Sequence, residues 1–236
     1  MIWENFEHLF HPSWYRKLRP FIESEACDEI YAFLKSEVKR GRSLAPLSSN
    51  VWRAFKETPF DDIRVIVVGM APYHTFIDNK PIADGLCLSC SITGKLQPSL
   101  EQWYSEIQKQ LYQGTTIIKE PDLKFLATQG VLLLNASLTT EKDKAGSHMK
   151  IWSGFMKYLF EKVLDVIGVP MVFLGQEAAK YERYASPFTW RFIVSHPASA
   201  SYKGSEWDSE EVFKKVNKVL RESFGTRINW AKTKGD

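Results

Sequence analysis

His74, Asn135 and His196 are the residues of this 236-residue chain whose types best suit chemistry, and each comes after a short apolar run. His74 closes Gly69-Met70-Ala71-Pro72-Tyr73-His74, Asn135 opens Asn135-Ala136-Ser137, and His196 lies in Ser195-His196-Pro197-Ala198-Ser199-Ala200-Ser201. An imidazole donates a hydrogen bond or moves a proton, and a carboxamide both donates and accepts, so these groups offer polar recognition and acid–base work. Taken singly, each has a plainer use, since a lone histidine after a strand caps a loop and a lone asparagine forms a turn. Their collection with several serines is what points to a site. An acid is missing where one would look for it, because Ala71 fills that place in the first loop.

The elements that must position them are legible as pattern. Residues 64–68 (RVIVV), 131–134 (VLLL), 170–174 (PMVFL) and 190–194 (WRFIV) are short β-branched or apolar runs of the kind that form buried strands. Helical spacing of apolar residues marks 28–38, 51–56, 99–110, 152–167, 176–184 and 209–223. Strands alternating with helices predict an α/β fold, a central four-stranded, mostly parallel sheet with helices on both faces, as one domain over 1–236. Such sheets bind ligands outside the carboxyl ends of their strands. The polar loops named above, together with Gly175-Gln176 after the third run, all fall at that edge.

Composition narrows the class without naming a partner. The chain is 44% hydrophobic, enough for a sizeable core, and 31 Lys and Arg against 28 Asp and Glu leave a net charge of +3. The opening MIWENFEHLFHPSW carries Glu4, Glu7 and Pro12, unlike a signal or transit peptide, and no apolar run nears the roughly 18 residues of a membrane span. A protein of the cytoplasm or nucleoid, away from membranes, is expected. The three cysteines (Cys27, Cys87, Cys90) are too few for a disulfide framework, and the lone C-x-x-C of Cys87 and Cys90 reads as packing thiols rather than a metal site.

With these residues assembled, the chain resembles the uracil-DNA glycosylase superfamily, most closely the branch whose loops read G-Q-D-P-Y-H, L-L-L-N and H-P-S-P-L-S. Here they read GMAPYH, LLLN and HPASAS. Ala54-Phe55, Gly85-Leu86-Cys87, Pro98-Ser99-Leu100, Ser147-His148 and Ile228-Asn229-Trp230 agree in the same order, over nearly the whole chain. The resemblance implies hydrolysis of the N-glycosidic bond of a flipped-out nucleotide, with no metal or organic cofactor. It implies that His196 donates to the base carbonyl on which charge gathers, that Asn135 and Tyr73 bind the base, and that His74 sits near the water and a phosphate. It further implies DNA contacts from Pro98, Ser99, Gly175, Gln176, Ser199, Ala200, Ser201 and Lys203, to double- or single-stranded DNA, by a monomer.

The departures bear on mechanism and substrate. Ala71 replaces the acid that orients water, Met70 a glutamine of the pocket, Leu88 the phenylalanine on which the base stacks, and Ala200 the leucine wedge. Between His74 and Gly85 the chain is longer than the family spacing and supplies Asp78 and Asp84; by resemblance to a divergent branch with G-x-A-P in this loop and a participating aspartate further along it, Asp84 is the nearer candidate for the replacement acid and Asp78 the alternative. Tyr202 or Trp207 is a candidate replacement wedge, with Trp207 reading first as a helix-start anchor, and a preference for single strands is the alternative. Two readings stand: a DNA glycosylase of altered preference, for uracil or another deaminated base or for a modified pyrimidine such as those of phage DNA, in repair or defence; or a catalytically inactive relative that binds a base or DNA as sensor or decoy.

Overall fold

Four apolar runs pair as the parallel strands β1 (Val65–Gly69), β2 (Val131–Asn135), β3 (Met171–Leu174) and β4 (Arg191–Val194), in the spatial order β2-β1-β3-β4. The structure is a computed structural model that describes residues 6–234, so Glu4 of the opening stretch lies outside the described residues. Every residue of β1, β2 and β3 is buried, which is why these strands read as unbroken apolar runs rather than alternating ones. The edge strand β4 is less covered, with Ile193 exposed.

Helices flank the sheet in two groups. The first contains α1 (Pro12–Ile22), α2 (Glu25–Lys39) and α3 (Arg53–Glu57), with α5 (Lys124–Ala127) beside α3 and α6 (Met149–Tyr158) against α2. Trp14, Trp52, Phe55, Trp152 and Phe155 interlock there, largely edge to face. The second contains α4 (Pro98–Leu111), α8 (Pro197–Lys203) and α9 (Val212–Phe224), where Trp103, Trp207, Phe213 and Trp230 pack together. The short α7 (Gln176–Ala179) follows β3. No helix among the described residues is long and apolar enough to cross a membrane, and Cys27, Cys87 and Cys90 are free and buried.

Several boundaries differ from the sequence reading. α1 is not among the helices expected from apolar spacing, and the stretch after β4 is helix α8 rather than loop. The helix expected over 152–167 begins earlier, at Met149, and gives way at Leu159–Val163 to a π-helical turn. That expected over 176–184 splits into α7 and a separate turn at Glu182–Tyr184. The last helix starts at Val212 because Ser209 is buried with its hydroxyl on Glu106 and Gln110, and Glu210 and Glu211 adopt positive φ to leave that contact.

In the order β2-β1-β3-β4 the chain leaves β1 for opposite sides of the sheet, so the switch point lies between β1 and β3, where their carboxyl ends open a crevice.

Candidate active site

That crevice is a cavity of about 580 Å³ lined from all four strand ends. β1 delivers Met70, Ala71, Tyr73 and His74; β2 delivers Asn135; β3 delivers Gly175, Gln176 and Glu177; and β4 delivers His196, Ser199 and Ser201. Pro98 and Ser99, the first turn of α4, and Leu88 complete the walls. Residues from all four strand ends thus meet in one space.

Asn135 ends β2 in register with Gly69, and its Oδ1 lies 3.0 Å from where a Gly69 Cβ would stand, with the Cys87 Sγ at 2.5 Å from the same point. Only glycine lets the strand end approach so closely. Asn135 is 5% exposed, and its side-chain amide makes no hydrogen bond among the described residues, so its donors and acceptor are left for a guest. Burial pushes the neighbouring Cys87 thiol up to about 12, which keeps it protonated and inert.

His196 is held from two sides. Gly175, at φ +83°, follows β3 and approaches the ring's root, where a Cβ would come within 3.2 Å of the His196 Cβ. The imidazole also caps α8, its Nδ1 accepting from the Ala198 N–H at 3.1 Å. With Nδ1 an acceptor, the proton of the neutral ring sits on Nε2. Burial lowers the His196 imidazole to about 4, so at neutral pH it is an uncharged N–H donor. His74 lines the opposite loop with its Nδ1 buried and unpartnered among the described residues.

Tyr73 is fixed rather than free. Its hydroxyl donates to the Leu88 carbonyl at 3.1 Å and meets the Ser99 Oγ at 2.7 Å, while burial raises the phenol well above its ordinary value. Ser199 and Ser201 direct their hydroxyls onto the His196 and Pro197 carbonyls of α8.

Three expected site residues do not line this cavity. Asp84, expected as the replacement acid, is fully buried behind the wall, where its carboxylate pairs with Arg53 at 2.8 Å and accepts three hydrogen bonds from its own turn. A carboxylate so engaged and so placed has no access to the cavity. Ala200 is buried, and Lys203 lies at the end of α8, outside the lining. Asp78 is at the tip of the exposed hairpin of Phe76–Ile77 and Lys80–Pro81. Trp207, which reads first as a helix-start anchor, is core, with its Nε1 on the Ser195 carbonyl; Tyr202, the other candidate wedge, is 85% exposed at the cavity rim. The sequence reading missed Glu177, Gln97 and Ala145 in the lining. Glu177 directly follows Gly175-Gln176, which was the available signal, and its carboxylate is held by Lys180 at 2.6 Å.

Comparison with known proteins agrees with this architecture. The family model of the uracil DNA glycosylase superfamily matches residues 55–221. The uracil-DNA glycosylase of Caenorhabditis elegans is 33% identical over 93% of this chain and 77% of its own length. That of Xanthomonas oryzae pv. oryzae is 32% identical over 93% of this chain and 90% of its own. The crystal structure of mimivirus uracil-DNA glycosylase shares the fold, with a TM-score of 0.85 at 20% identity over 97% of this chain and 90% of that one.

Proposed function

The chain belongs to the uracil DNA glycosylase superfamily, and from that membership we propose that it is a monofunctional DNA glycosylase of altered base preference. The observation that supports this best is the meeting of the unpartnered Asn135 amide and the neutral His196 imidazole in one cavity. Hydrolysis breaks the bond between C1′ and the base nitrogen, and its electron pair leaves with the base. A water oxygen bonds to C1′, and the proton it sheds passes to solvent. Charge gathering on a base carbonyl is met by the Nε2–H of His196, a donor that is already oriented and that need not be recharged at neutral pH. Asn135 reads the polar edge of the base, and His74 faces the side from which water and phosphate approach.

With Ala71 where the family resemblance places an acid, and Asp84 turned away, stabilisation of the departing base carries the larger share of catalysis. Ala71, Leu88 and Ala145 line the cavity with small or aliphatic side chains, and its volume lies within the roughly 300–1,000 Å³ of sites that enclose sizeable ligands. Tyr73, pinned through its hydroxyl beside Leu88 and Ser99, limits that space. The base is uracil or another deaminated base, or a modified pyrimidine, excised for repair or defence. The first turns of α4 and α7 and the rim of α8 grip phosphates, Lys203 adds charge nearby, and Tyr202 enters the stack that the flipped nucleotide vacates. Binding weakens as salt rises.

The engagement of Asp84 favours a second reading, an inactive relative that retains the base pocket. Single- and double-stranded oligonucleotides carrying uracil, hypoxanthine, or hydroxymethylated or glucosylated cytosine, incubated with the protein and treated with alkali, separate the two. Strand breaks at the marked base are expected; retention of DNA with no break at any base establishes the second reading.

A further inference from the structure

Asp84 lies outside the cavity, yet the turn that walls the cavity is built around it. Its Oδ1 accepts from the Leu86 N–H at 3.2 Å, and its Oδ2 accepts from the Ser89 hydroxyl at 2.6 Å and the Ser91 N–H at 2.9 Å. Arg53, on α3, brings Nη1 to 2.8 Å of the same Oδ2 and ties Nη2 to both oxygens of Asp122 at 2.8 and 3.0 Å. The Ser89 hydroxyl in turn accepts from the Leu123 N–H at 3.0 Å. Residues 86, 89 and 91 are therefore fastened through one carboxylate to α3 and to the Asp122-Leu123 turn. Leu88 stands in their midst, against the cavity, at φ +64°. A leucine takes this left-handed conformation only where its surroundings impose it. The bonds from Asp84 on either side and the Tyr73 hydroxyl on the Leu88 carbonyl hold it here, together with the backbone bonds of Cys87 to Leu133, Ser89 to Leu86 and Cys90 to Pro121.

We propose that Asp84, with Arg53, is a positioning residue for base selectivity: the pair latches the 85–91 turn so that Leu88 presents a fixed apolar wall to the everted base. The acid thus shapes the pocket from behind. Its selectivity readout rests on the base-binding part of the function proposed above; the latch itself rests on geometry alone.

The test uses the full chain and Asp84→Asn, which keeps the size of the side chain but removes its charge and replaces one accepting oxygen with a donor. Two quantities are measured: amide hydrogen exchange at Leu86 and Ser91, referred to the strand amides of β1 and β2, and the ratio of Kd for single-stranded oligonucleotides carrying uracil and 5-hydroxymethyluracil. Exchange at both amides is expected to quicken, and the Kd ratio to move toward one by on the order of tenfold. In a Leu88→Ala background the same substitution is expected to leave the ratio where it was. Unchanged exchange overturns the latch. Quickened exchange with an unchanged ratio, or an equal change of ratio without Leu88, overturns the link to selectivity. Should Asp84→Asn not fold, Arg53→Lys, which keeps the charge and loses the fork, is read by the same criteria. A parent that binds these probes and breaks DNA at no base of the oligonucleotide panel defeats the glycosylase reading and leaves this test intact.

Discussion

At the ends of β2 and β4 the Asn135 and His196 side chains face the cavity with hydrogen-bonding capacity unused, whereas in the segment after β1 the Tyr73 and Asp84 side chains are occupied in holding the chain, although the His74 Nδ1 there stays unpartnered among the described residues. Asn135 has no protein partner among the described residues, and His196 engages only Nδ1. Across the cavity, the Tyr73 hydroxyl is bonded twice, and Asp84 accepts three hydrogen bonds and an ion pair. One wall is ready for a guest and the other is a frame. The difference follows from what supports each: a buried parallel strand satisfies its own backbone and leaves its terminal side chains free, while an irregular buried turn must recruit side chains to satisfy its amides.

The contrast is broken most severely at the open wall. His196→Ala removes the one neutral N–H aimed at developing charge, and kcat/KM on the best substrate of the oligonucleotide panel should fall about 100- to 1,000-fold. Thermal unfolding should show only the loss of a helix cap, about 1 kcal/mol. A variant that keeps its rate would show that the open wall binds without catalysing. At the framed wall the balance reverses. Tyr73→Phe leaves the buried Ser99 hydroxyl and the Leu88 carbonyl without a partner, for a stability loss of about 2 kcal/mol by denaturant unfolding. The rate should change less than that of His196→Ala. A larger rate effect than stability effect would mean that Tyr73 belongs to the open wall.

The two walls were unequally legible in the sequence. The strand ends were readable because β-branched runs announce buried strands, and the parallel order then places Asn135 and His196 at one edge. α8 was read as loop because Ala198-Ser199-Ala200-Ser201 has no apolar period, although its brackets were there: a side chain able to cap at His196, Pro197 in the first turn and Gly204 in the left-handed position that ends it. Asp84 was misread for a different reason. An acid before Gly85 is consistent with both catalysis and scaffolding, and the deciding facts are Arg53 and Asp122, distant in sequence and adjacent only once α3 has packed. Glu177 was announced only by the Gly175-Gln176 that it follows, and its pairing with Lys180 gives it the look of a surface residue.

The smallest expected effect tests whether His196 is neutral because of where it sits. Its imidazole stands at about 4 in the folded protein against about 6.5 in an unfolded chain. Between those values the unfolded state takes up a proton that the folded state refuses, so folding stability is intact above about 6.5 and declines as the pH falls toward about 4. The residue's contribution to that decline should reach about 1 kcal/mol at pH 5, its partial exposure allowed for. His148, also lowered by burial, slopes the same way, so the measurement is a difference between parent and His196→Gln in urea unfolding from pH 7 to 4.5. The variant cannot titrate, and its stability should gain on the parent's as the pH drops. Parallel curves would mean that the ring takes the proton in the fold as readily as outside it, that its Nδ1 is not committed to α8, and that the open wall carries a charge the mechanism does not use.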